Sequence, residues 1–108
     1  MEFIIIYCTV QNKKEGRKIA NTIIQNDLAA CVNIIDKVES VFSWDHKVMK
    51  EKEAMLVIKT RKDLFEPVKE LIKELHSYSV PEIIAVNIEL ADETYLRWIA
   101  HETKSNNL

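Results

Sequence analysis

The sequence predicts an α+β sandwich: two helices on one face of a four-stranded antiparallel sheet, with long β-hairpin arms and a short C-terminal helix. Three observations carry this. Four segments are apolar runs rich in β-branched residues, or alternate with period two. Three others repeat apolar residues at helical spacing. Their order, β-α-β-β-α-β plus a last helix, leaves few compact arrangements once each helix must cover a sheet face. The 108 residues are expected to form one domain, residues 1–108.

Phe3 to Val10 is almost continuously apolar and too short for a typical helix, so it reads as a buried central strand. Gln11-Asn12 ends it. Asn12, with Glu15 three residues on, has the pattern of a capping box and opens a helix. Ile19, Ala20, Ile23, Ile24 and Leu28 form that helix's apolar face. Gly16 falls early in it, at a cost of about 1 kcal/mol relative to alanine. It reads as a tolerated cost, with close approach of a backbone or ligand as the alternative.

Residues 29–35 return to strand, and Asp36-Lys37 interrupts the pattern. Val38, Ser40, Phe42 and Trp44 then alternate along an extended segment. Asp45-His46 is the best turn, because Asp and His tolerate positive φ better than most residues. Residues 47–60 form the returning strand, with Met55-Leu56-Val57-Ile58 buried. Both arms exceed the usual strand of about 5–6 residues.

Pro67 must lie in or beside the first turn of the second helix, which places its start near Asp63. Leu64, Val68, Leu71, Ile72 and Leu75 form its apolar face, and its lysines and glutamates a solvated one. Residues 76–82 read as a loop and 83–90 as the fourth strand. Asp92 caps a short helix carrying Tyr95, Leu96, Trp98 and Ile99, and residues 104–108 form a polar tail expected to fray. The order of elements is that of the ferredoxin-like sandwich.

Composition excludes several functions. Fifteen Lys and Arg against 17 Asp and Glu give a net charge of −2, with no electrostatic footprint for nucleic acid. One glycine is too few for a Walker A loop or a dinucleotide fingerprint. Two cysteines, Cys8 and Cys31, make no disulfide framework or zinc knuckle. No apolar run is long enough for a membrane helix, and the first residues lack the form of a secretory leader, so the expected compartment is the cytoplasm, with both thiols reduced. The second face of the sheet and the aromatic arm need cover that one small chain does not supply. A symmetric homo-oligomer is the simplest source.

Several blocks together resemble the CutA family, named for divalent-cation tolerance. They are Leu28-Ala29-Ala30-Cys31-Val32-Asn33-Ile34-Ile35, Ser40-Val41-Phe42-Ser43-Trp44, Glu53 with Leu56-Val57-Ile58-Lys59-Thr60, Val80-Pro81-Glu82-Ile83-Ile84, and Tyr95-Leu96-Arg97-Trp98-Ile99. The resemblance implies a ferredoxin-like, PII-like homotrimer and a divalent-metal role, copper being the ion most often named. It points to Cys8 and His76 as metal ligands. The chain departs from the family pattern at Ser77, where proline is common, at Asp45-His46-Lys47, where glycine is frequent, and at Leu75, where some members carry a second histidine.

Thiolate and imidazole suit copper and zinc. Read without the resemblance, Cys8 is a small core hydrophobe and His76 a helix C-terminal cation. Cys31 reads as core, and His46 and His101 as surface residues. Trp44, Tyr78 and Trp98, with Lys59 and Glu82 as polar groups, are candidates for an inter-subunit pocket; packing alone is the other reading of the tryptophans. Asp63, Glu66, Asp92 and Glu93 fit charge placement at helix starts. No catalytic set appears at a local spacing, so no enzyme is expected. The expected function is metal-ion tolerance by a cytoplasmic homotrimer that binds divalent metal. The alternative is a PII-like module that binds a small effector or a regulatory partner protein in its inter-subunit clefts.

Overall fold

The computed structural model describes residues 1–104, so the expected polar tail falls, beyond Lys104, outside the described residues. Its elements are β1 (Phe3–Val10), α1 (Lys13–Gln25), β2 (Cys31–Trp44), β3 (Lys47–Arg61), α2 (Phe65–Leu75), β4 (Ile84–Asn87) and α3 (Glu93–Glu102), with a 3₁₀ turn at Lys62–Leu64 before α2. One antiparallel sheet has the order β2-β3-β1-β4. This is the α+β sandwich that the order of elements requires.

Alternation along β1 and β3 decides which side is core. Ile4, Ile6, Cys8 and Val10 point to the helices and are buried, as are Ala54, Leu56, Ile58 and Thr60 opposite them. Ile19 and Ile23 of α1 and Val68 and Ile72 of α2 complete that layer. Each such aliphatic side chain contributes about 1.5–3 kcal/mol through burial. Gly16 is buried beneath this layer. A Cβ there would stand 3.3 Å from both Leu56 Cδ2 and Val10 Cγ2. Any larger residue would press Leu56 and Val10 back by a few tenths of an ångström, so the glycine suits close approach of α1 to the sheet, the alternative rather than the favoured reading of its role.

The capping box forms with one change of partner. Asn12 Oδ1 accepts the Glu15 N–H at 2.9 Å, whereas Glu15 Oε1 accepts from the Gln11 N–H. Pro67 is the third residue of α2, and the 3₁₀ turn ahead of it takes up the earlier start expected near Asp63. β4 is shorter than the expected 83–90, although the Ile88 N–H still reaches the Phe3 carbonyl. Buried Arg61 binds Asp63 and the Lys104 carbonyl, and the Lys104 N–H reaches the Asp27 carbonyl, which ties down the end of α3.

The interruption at Asp36-Lys37 is a β-bulge within one long strand. Ile35 pairs with Met55 and Val38 with Glu53, so two residues of β2 oppose Ala54 alone. Lys37 takes φ 60°, and its N–H is held by Asp36 Oδ1. The extra residue turns Val38, Ser40, Phe42 and Trp44 to the side facing away from the helices. Asp45 and His46 both have positive φ, as a type I′ turn requires. At about 3.3 Å per residue, the 14 residues of β2 account for the 45 Å long axis of the molecule.

Candidate functional site

A cleft of about 740 Å³ runs along the β2–β3 arm where it faces the loop between α2 and β4. The bulge brings Ser40, Phe42 and Trp44 to it from β2, and the register adds Glu51 and Glu53 from β3. Thr9 and Gln11 contribute from the end of β1, and Tyr78, Ser79, Val80 and Glu82 from the loop. Trp44 is more than half exposed.

The loop is pinned by hydrogen bonds. His76 Nε2 lies 2.8 Å from the Thr9 carbonyl oxygen, and its Nδ1 accepts the Tyr78 N–H at 3.0 Å. A carbonyl only accepts and an amide only donates, so the ring is the neutral tautomer with its proton on Nε2. It reaches across to β1 and does not cap the carbonyls of its own helix. Glu15 Oε2 accepts the Ser77 N–H at 2.8 Å. Burial works against the ionised Glu15 carboxylate, but the N–H donors of Gln11 and Ser77 outweigh it and hold its pKa below the usual range.

Tyr78 Oη donates to Glu53 Oε2 at 2.7 Å, placing a phenol over a carboxylate only 8 % exposed. Burial, then this bond and the Glu53 charge, push the Tyr78 phenol up, so it stays a donor at any physiological pH. Thr9 Oγ1 donates to Glu82 Oε1 at 3.4 Å, both residues also lining the cleft.

The two expected metal ligands approach one common atom. Cys8 Sγ lies 3.7 Å from the same Thr9 carbonyl oxygen that His76 touches. Cys8 is fully buried, however, and burial aided by Glu82, Glu15 and Glu53 pushes its thiol up to about 12. It is a protonated thiol, and both nitrogens of the His76 ring are engaged. Among the described residues no three His, Cys, Asp or Glu side chains gather as a metal cluster would. As placed, the pair does not fit a ready-made metal site within one chain.

Of the expected pocket residues, Trp44, Tyr78 and Glu82 line the cleft. Lys59 and Trp98 do not line it. Lys59 binds Asn33 Oδ1 at 2.6 Å beside Cys31, and Trp98 packs on Tyr95 along α3 with ring centroids 5.5 Å apart. His46 and His101 are exposed. The sequence reading missed Glu51 and Glu53 as cleft residues. Counting by twos back from Met55, which alternates with core Leu56, puts both on the face away from the helices.

Comparison with known proteins agrees with this architecture. Residues 4–102 match the family described as CutA1 divalent ion tolerance protein. A chloroplastic protein CutA of Arabidopsis thaliana is 45 % identical over 102 residues, which is 94 % of this chain but 56 % of that protein's length. A divalent-cation tolerance protein CutA of Pyrococcus horikoshii is 39 % identical over 94 % of this chain and 98 % of its own. The crystal structure of CutA1 from Oryza sativa superposes with a TM-score of 0.95 at 42 % identity, covering 98 % of this chain and 97 % of that one.

Proposed function

The chain belongs to the CutA1 divalent-ion tolerance family, and from that premise we propose that it acts in metal tolerance as a cytoplasmic homotrimer binding divalent ions, copper foremost. The observation that carries this reading is the family match over residues 4–102. The trimer is supported by the sheet face turned away from the helices. Ile35, Ile84 and Val86 there are each about half exposed, and Phe42 and Trp44 extend the apolar surface along the arm. On this reading His76 is the chain's contribution to a metal, another copy completes the coordination, and Cys8 stays a buried core thiol. Occupation costs the His76 ring one of its two hydrogen bonds. No catalytic role is included.

The test is calorimetric titration of metal-free, reduced protein with Cu(II) and then Zn(II), beside the His76→Ala variant, with the mass in solution measured by light scattering. Saturable binding at a whole-number ratio, weakened in the variant, on a particle of three chains, is the expected result. Weak, non-saturating uptake indifferent to the substitution would remove His76 from the site.

A second reading is favoured by the cleft itself. It is large enough for a small effector and gathers Trp44, Tyr78 and Glu82 at its walls, which supports a PII-like regulatory module.

A further inference from the structure

The misfit between His76 and a ready-made metal site is itself informative, because it singles out one ring nitrogen. The Nε2 proton is fixed by the Thr9 carbonyl oxygen at 2.8 Å, so the lone pair stands on Nδ1. A metal-ligating histidine usually gives its other ring N–H to a backbone carbonyl or carboxylate, which sets the tautomer and aims the ring. The Thr9 carbonyl already fills that supporting place. The Nδ1 lone pair, however, is occupied by the Tyr78 N–H at 3.0 Å. The donor atom and the group that blocks it thus lie two residues apart in one loop.

The loop can clear Nδ1 at one place. The His76 N–H is held by the Ile72 carbonyl at the end of α2, and the Ser77 N–H by Glu15 Oε2, whose Oε1 is anchored on the Gln11 N–H. The next peptide, Ser77–Tyr78, is therefore the unit that turns, about ψ of Ser77 and φ of Tyr78. Turning it shifts Tyr78, whose ring lies against the His76 ring with centroids 4.7 Å apart and whose hydroxyl donates to Glu53 at 2.7 Å. We propose that His76 takes a divalent ion of the zinc or copper class through Nδ1 in exchange for the Tyr78 N–H, so that metal occupancy and the Tyr78–Glu53 bond oppose each other. This deepens the metal reading and rests on it. The opposition is reciprocal: holding Tyr78 on Glu53 weakens the metal, and the metal loosens Tyr78 by the same factor.

The test adds Zn(II), a diamagnetic probe, to the reduced, assembled protein and follows the ring nitrogens and amides by nuclear magnetic resonance. The His76 Nδ1 resonance is expected to move while Nε2 keeps its proton. The Tyr78 amide should exchange with solvent roughly tenfold faster, as for one lost hydrogen bond, and the Ser77 amide at its former rate. In Tyr78→Phe, which removes the opposing hydroxyl, calorimetry should show Zn(II) bound about tenfold more tightly. A tyrosine with a structural role alone would leave the affinity unchanged or lower it. Zinc on Nε2, or zinc that depends on His76 yet leaves Tyr78 exchange and the Tyr78→Phe affinity as they were, would overturn the exchange while the metal reading stands. Zinc uptake indifferent to His76→Ala would overturn both.

Discussion

Replacing Gly16 by alanine sets two effects of known size against each other. The substitution gains about 1 kcal/mol of helix propensity in α1. Against this, the new methyl group meets Leu56 Cδ2 and Val10 Cγ2 at 3.3 Å and Ile34 Cγ2 at 3.7 Å. Leu56 and Val10 are fully buried, in a layer where the atoms behind them are also packed. Overpacking of this kind costs about 1–3 kcal/mol, so Gly16→Ala should lose about 1 kcal/mol net. Urea unfolding followed by circular dichroism reads the change as a lower midpoint at unchanged slope. The control is a double-mutant cycle with Val10→Ala, which removes one of the two opposing methyl groups. Alanine at 16 should cost less in that background, with a favourable coupling of about 0.5–1 kcal/mol. If Gly16→Ala instead raised stability by about 1 kcal/mol, with no coupling to Val10, close approach would not be the reason for the glycine.

Three further outcomes are expected. Tyr78→Phe takes the hydroxyl from a carboxylate that is 8 % exposed and should cost about 1.5 kcal/mol, with cleft water replacing part of the lost bond; an unmoved urea midpoint would show that water replaces all of it. The folded pKa of Glu15 is lowered, so its stabilising effect is fully present above its ordinary value of 4.5 and is lost as pH falls beneath it through the folded value. Acid titration of stability should therefore be shallower in Glu15→Gln, and identical curves would contradict the clamp on Ser77. With its thiol pushed up to about 12, Cys8 should resist alkylation at neutral pH until the chain unfolds, whereas part-exposed Cys31 reacts first; mass spectrometry of the labelled peptides reads the order.

Local signals with strong physics were legible in the sequence. The β1 run, the Asn12 and Asp92 caps, the Asp45-His46 turn and the limit set by Pro67 all follow from contacts within a few residues. For Gly16 the sequence offered close approach only as the alternative, because Leu56 and Ile34, two of the three groups that oppose it, come from distant parts of the chain. The cleft was half legible for the same cause. Trp44, Tyr78 and Glu82 could be singled out by residue type, but Lys59 and Trp98 could be set apart from them only by the bulge, the register and the docking of α3. The end of β4 was overestimated because apolar residues continue to Leu90, which is 89 % exposed, after the ladder with β1 has ended.

The bulge at Asp36-Lys37 has a bearing on how this chain tolerates changes in length. It stores one residue of slack in β2. A single deletion between Val38 and Trp44 can be absorbed by drawing that residue into regular pairing, so the hairpin tip keeps both its turn and its outlook. Only the stretch between the bulge and the deletion rotates to the opposite side. An insertion finds no such reserve and must be matched on β3 or form a second bulge. The arm should therefore accept loss of one residue more readily than gain of one, an asymmetry that a deletion and insertion scan of β2 would expose.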